Sequence, residues 1–125
     1  MRLLLDTHAL LWWALDDPKL SAAARDVIAD PGSRVSVSAA SMWEISTKSA
    51  RGRLPVKGDL RGILARQPIH PLPITADHAW AAGQLPLHHR DPFDRILVAQ
   101  AQLEGLTIVT RDPDIVRYQV AILPA

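Results

Sequence analysis

This sequence of 125 residues predicts an open, mainly parallel α/β sheet. Three observations carry that expectation. Short apolar or β-branched runs recur along the chain and alternate with longer helix-forming stretches, the pattern of strand–helix–strand units. Proline and glycine punctuate the joins. Acidic residues stand where strands give way to helices or loops: Asp6 directly after Leu3-Leu4-Leu5, and Asp112 just past Leu106-Thr107-Ile108-Val109-Thr110. In a parallel sheet those strand ends share one edge, where ligands usually bind.

The elements follow in order. Arg2–Leu5 reads as a buried strand and Thr7–Leu15 as the helix after it, stopped by Asp16-Asp17-Pro18. Ser21 can cap a second helix to about Ala29, closed by Asp30-Pro31-Gly32. Polar and apolar residues alternate over Arg34–Ser38, as in a strand. A helix then opens at Ser38 or Ala39 and ends near Gly52, which tolerates a left-handed cap. Asp59 starts a short helix to about Arg66. Pro68, Pro71 and Pro73 keep the next stretch extended, with Ile69, Leu72 and Ile74 facing inward. Thr75 caps a helix through about Leu85, and the His- and Pro-rich loop Leu87–Pro92 leads to a helix from Phe93 to Glu104, closed by Gly105. The strand Leu106–Thr110, a turn at Asp112-Pro113, a short helix around Ile115–Tyr118 and a last strand Val120–Leu123 complete the chain.

This length fits one domain with a real core, and no repeat, low-complexity stretch or linker divides it. The absence of cysteine excludes disulfides, thiolate catalysis and the usual structural zinc sites, and fits a cytoplasmic protein. The N-terminal stretch is broken by Asp6 and His8, unlike a signal peptide, and Ala9–Leu15 is too short to span a bilayer. A net charge of +1 places any nucleic-acid binding in a local basic patch.

Four acids, Asp6, Glu44, Asp94 and Asp112, are the candidate site. Each has an ordinary alternative. Asp6 can cap the helix at Thr7. Glu44 lies away from the Met42/Ile45 face, on a stripe with Ser41 and Lys48, where a solvated Glu–Lys pair at i,i+4 contributes about 0.3–0.5 kcal/mol. Asp94 stands at a positive helix end, and Asp91, three residues earlier, is either the cap or a fifth acid. Asp112, before Pro113, suits a turn. No single residue is specific, but carboxylates gathered on one edge repel each other, at a cost of several kcal/mol if unpaired. A divalent cation such as Mg²⁺ or Mn²⁺ removes that cost, activates a water and neutralises phosphodiester charge. No G-x-S-x-G elbow or P-loop lysine motif competes.

The stretches LLLDTHALLWW, SAASMWEISTKSARGRL, LPLHHRDPFDRILVAQA and GLTIVTRDPDIVRY closely resemble PIN-domain proteins, in particular the VapC-type toxins of bacterial toxin–antitoxin pairs. The resemblance runs, in order, from the first residues to about Val120. It implies a single PIN domain over 1–125, a three-layer α/β/α sandwich with a central, mainly parallel sheet, and a Mg²⁺- or Mn²⁺-dependent endoribonuclease. It carries the metal-binding and catalytic roles onto Asp6, Glu44, Asp94 and Asp112, with Thr7 and Thr110 orienting those acids. Asp91 matches the DPFD form of the motif. Hydrolysis leaving a 3′-hydroxyl and a 5′-phosphate, a homodimer and a cognate antitoxin are further implications of the resemblance.

Six basic residues between Lys48 and Arg66 (Lys48, Arg51, Arg53, Lys57, Arg61, Arg66) accompany one acid, Asp59, and could hold an RNA backbone. Lys48, Arg95 and Arg111 are the best candidates for RNA contacts. His88 and His89 read as loop residues near the RNA, because adjacent side chains diverge, and His8 reads as a packed or capping histidine. Trp12 and Trp13 point about 100° apart on a helix, so both cannot face one core; the sharper reading gives one side to a second subunit or an antitoxin. Three other functions are weighed. An RNase H-like nuclease needs hairpin strands after its first Asp, where this chain begins a helix. A binding module would use the acids only as caps. A phosphotransferase with Asp6 as nucleophile is weaker, since the turn reads Asp-Thr-His.

Overall fold

The computed structural model describes residues 1–54 and 58–125; Lys57 of the basic run lies outside them. Five strands, β1 (Arg2–Leu5), β2 (Arg34–Ser38), β3 (His70–Leu72), β4 (Thr107–Thr110) and β5 (Ala121–Pro124), form one sheet in the order β3-β2-β1-β4-β5. All four pairings are parallel. The expected mainly parallel sheet is thus parallel throughout. The helices are α1 (Thr7–Ala14), α2 (Ala22–Ala29), α3 (Ala39–Ala50), α4 (Leu60–Ala65), α5 (Ala76–Gln84) and α6 (Pro92–Glu104), with a 3₁₀ turn at Ile115–Arg117.

Alternation along the strands builds the three layers. Leu3, Leu5, Val35, Val37 and Val109 pack with Ala9, Leu10, Ala24, Ile28 and Ile45 on one side. Leu4 and Ile108 point the other way, onto Leu97, Val98, Ala101 and Ile115. Because β1 is buried on both faces, its sequence is a continuous leucine run rather than an alternating one. From β1 the chain runs outward through β2 and β3, then returns to lay β4 on β1's other side. The crevice at the carboxyl ends of β1 and β4 is therefore the switch point of the sheet, where ligands are expected.

Several details differ from the sequence expectation. Helix α6 starts one residue earlier than expected, at Pro92, where no amide is needed, and Asp91 takes the capping place the sequence offered it: its Oδ1 accepts from the Phe93 and Asp94 amides at 2.8 and 3.4 Å. The last strand starts one residue later than expected, at Ala121, and β4 starts at Thr107. Ile74, expected inward, is 37% exposed, because β3 is only three residues long and the chain has left the sheet by that point. Trp12 and Trp13 both lie half-buried against the same core, since the margins of that core reach round both sides of α1. Among the described residues no helix is long and apolar enough to cross a membrane.

Candidate metal centre

Asp6 emerges from the end of β1 and is 4% exposed. One oxygen caps α1, accepting from the Ala9 amide at 2.8 Å. The other accepts from the Thr110 hydroxyl at 2.5 Å, across from the end of β4. Capping therefore takes only one of its two oxygens, and β4 was built to meet the second. Burial raises the Asp6 pKa; those two hydrogen bonds and His8 oppose the rise, and the charge of Asp112 adds to it.

Glu44 is 5% exposed, against the expectation of a solvated helix face. The expected pair with Lys48 does form, Nζ to Oε2 at 2.6 Å. The other oxygen accepts from the Thr7 hydroxyl at 2.6 Å, and Thr7 Oγ1 also lies 3.1 Å from the Ser41 hydroxyl. The face was misread because α3 is covered by α1 and α6, a contact between distant segments that a helical wheel does not contain.

Asp94 lies in the first turn of α6. Burial and then the charge of Asp91 push its pKa up to about 7; His89 pulls the other way, while Glu44 and Asp112 add to the rise. Asp112 is held in the turn after β4. Its Oδ1 accepts from the Asp114 and Ile115 amides at 2.7 and 3.2 Å, and its own amide donates to Thr110 Oγ1 at 3.0 Å. The Thr110 hydroxyl thus ties Asp112 to Asp6. The four acids sit in one another's fields: Asp112 acts on Asp6, and Glu44 and Asp112 act on Asp94.

One residue of this cluster was missed. His89 Nε2 lies 2.9 Å from Asp94 Oδ2 and 3.2 Å from Asp112 Oδ2, and its side chain is 13% exposed. Hydrogen bonding to Asp112 and the charges of Asp94, Asp112 and Asp91 raise its pKa against the lowering effect of burial. The His88–His89 doublet hid it, because only one of the two turns inward; His88 instead meets the Tyr118 ring edge-on at 5.0 Å between centroids. The usable signal was its place two residues before the α6 cap, from which a side chain can fold back over the first helical turn. His89, Asp112 and Asp114 could also present ligand atoms within 4.8 Å of one another.

Two of the three residues expected to contact RNA have other work. The Arg95 guanidinium donates to the carbonyls of Ala82, Leu85, Pro86 and His89 at 2.8–3.2 Å, binding α5 and the following loop to α6. Arg111 grips the Ala125 main-chain oxygen at 2.9 Å and the Lys19 carbonyl, and lies over the Trp12 ring at 4.6 Å. Backbone acceptors claim both cations, which a linear sequence cannot reveal. Lys48 stays beside the acids, on Glu44. Arg51, Arg53, Arg61 and Arg66 are exposed. A groove of about 710 Å³ lies between β3, α3 and α4 and is lined by residues such as Val37, Met42, Leu64 and Ile69 rather than by the acids.

Fold and site together define a parallel α/β protein with a carboxylate cluster at the topological switch point. The PIN domain profile matches residues 3–121, and the chain belongs to the PIN-domain family. Ribonuclease VapC22 of Mycobacterium tuberculosis is 31% identical over 114 residues, spanning 87% of this chain and 85% of that protein. Solved structures share the fold: VapBC2 of Rickettsia felis bound to a promoter DNA fragment (TM-score 0.75, 14% identity, 98% of both chains) and FitAcB of Neisseria gonorrhoeae (TM-score 0.66, 22% identity, 98% of this chain and 96% of that one). DNA-bound VapBC of Salmonella typhimurium superposes with a TM-score of 0.67 at 17% identity, over 98% of this chain and 97% of that one.

Proposed function

We infer that this chain is a PIN-domain endoribonuclease, the toxin of a toxin–antitoxin pair, acting in the cytoplasm as a single domain over residues 1–125. The observation that carries the reading is geometric: the Thr110 hydroxyl ties Asp6 to the Asp112 turn, with Asp94 and His89 beside it at the carboxyl ends of β1 and β4; burial there, and then the charge of Asp91, raise the Asp94 pKa to about 7. Such a cluster is poorly built for an empty protein and well built for a cation. The donor set is also right: hard carboxylate oxygens suit Mg²⁺ or Mn²⁺. Asp6, Glu44, Asp94 and Asp112 would hold the ion. When bound, it supplies the Lewis acidity that makes a water nucleophilic and offsets charge on the phosphodiester.

The protein's own contribution is order. Thr110 fixes Asp6 against β4, Thr7 fixes Glu44 against α1, and Lys48 offsets the charge on the second Glu44 oxygen. Exposed arginines of the 51–66 segment favour a polyanionic substrate, by attraction that weakens with salt. Kinship with VapC22 and likeness to the VapBC and FitAcB structures support an antitoxin partner; a homodimer is the further expectation of the family resemblance. The decisive assay incubates purified wild type and Asp94→Asn with tRNA, rRNA fragments and mRNA in Mg²⁺, Mn²⁺ or EDTA. Cleavage confined to wild type with metal is expected. Cleavage that persists in both EDTA and the variant would refute the reading.

A further inference from the structure

We propose that His89 is a positioning residue of the acid cluster: its Nε2–H donates to Asp112 and sets that carboxylate beside Asp94 in the arrangement that receives the ion. The inference rests on the metal reading above. The two acids come from different elements, α6 and the turn after β4; His89 Nε2 hydrogen-bonds Asp112 Oδ2 at 3.2 Å and lies 2.9 Å from Asp94 Oδ2 as a charge contact. The ring's other nitrogen accepts from the Asp91 amide at 3.2 Å, which leaves the proton on Nε2. The same amide-bearing residue caps α6, so the histidine is keyed to the helix that carries Asp94.

The loop behind the ring is clamped as well. The His89 amide donates to the Tyr118 hydroxyl at 2.9 Å, and that hydroxyl donates to the Pro86 carbonyl at 2.6 Å. Arg95 takes the His89 carbonyl and three others of the same corner. A ring meant to be swept aside by an arriving ion would not be anchored at its amide, its carbonyl and its Nδ1 together. These anchors fit a ring that stays, as hydrogen-bond donors behind metal-binding carboxylates do. The result is an Asp112 carboxylate fixed at both oxygens. Among the described residues the Asp94 carboxylate accepts no hydrogen bond at either oxygen, which leaves it free for a ligand.

Two measurements test this. In the metal-free wild type, long-range ¹⁵N–¹H correlation of the imidazole should show the Nε2–H tautomer; the Nδ1–H tautomer would overturn the proposal. Calorimetric titration with Mn²⁺ should then show His89→Ala binding about 10- to 100-fold more weakly than wild type. His89→Gln, whose amide N–H reaches the place of Nε2, should recover most of that loss, and Tyr118→Phe should lose less than His89→Ala. Affinity unchanged or tighter in His89→Ala, with wild type binding normally, would refute the positioning role alone. A wild type that binds no Mn²⁺ would refute the metal reading and this role with it.

Discussion

The acid cluster has two halves that solve the same electrostatic problem differently. Asp6 and Glu44 are almost fully buried, and each oxygen of each has a donor: a threonine hydroxyl on one side, an amide or the Lys48 ammonium on the other. Asp94 and Asp112 lie nearer the rim and share one imidazole. Burial raises the Asp6 pKa in spite of its two hydrogen bonds. Burial raises Asp94 as well, to about 7, where the charge of Asp91 adds to it and only the charge of His89 opposes it. What separates Asp94 from the inner pair is the supply of hydrogen-bond donors.

Neutralising the outer half should have the largest effect. Asp94→Asn is expected to lower RNA cleavage by at least about a hundredfold, beyond what loss of an outer-lying hydrogen-bond partner usually costs. The same change should raise the melting temperature of the metal-free protein at pH 8, and a variant that cleaves like wild type would erase the distinction between the halves.

A second contrast is in pH. An aspartate carboxyl ordinarily titrates near 3.8, and in the folded protein Asp94 is pushed up to about 7. Below the lower value it is neutral whether the chain is folded or not. Between the two, the folded chain keeps a proton that the unfolded chain has lost, so stability falls as pH rises, and the loss is complete above about 7. The fall for this group is a few kcal/mol by order of magnitude. Thermal unfolding in EDTA from pH 4 to 8 should show it, and Asp94→Asn should flatten it; identical slopes would place the strain elsewhere.

The inner half is tested by removing a donor. Thr110→Val keeps the shape but leaves a buried Asp6 oxygen unpaired, at a cost of about 1–3 kcal/mol in urea unfolding. No loss would mean that the hydroxyl is dispensable. Smallest of all should be Lys48→Met, since the lysine side chain is 40% exposed and such pairs contribute about 1 kcal/mol or less. A larger loss there would show that Glu44 depends on its cation more than on Thr7.

What the sequence made legible follows the range of the forces involved. Local chemistry placed the caps at Asp6, Ser21, Asp59 and Thr75, and the left-handed Gly105, because each acts within a few residues. The leucine run announced β1, and the order of the acids located the edge they share. Contacts between distant segments were not legible. Glu44 looked solvated until α6 covered it, Arg95 looked free until four carbonyls surrounded it, and His89 looked like loop until it met Asp112. The structure corrected the last two in opposite directions, withdrawing an arginine from the surface and adding an imidazole to the site.

The hydroxyl that joins Asp6 to β4 spans 104 positions of the chain. The central strand is synthesised well before its neighbour β4 and the turn bearing Asp112. Closing so long a loop is slow compared with forming local contacts, and domains complete their folding as the final segments emerge. During translation the acids therefore stay apart until β4 and the turn after it have left the ribosome. An RNA-cutting centre built this way is silent on its own message until that turn has emerged.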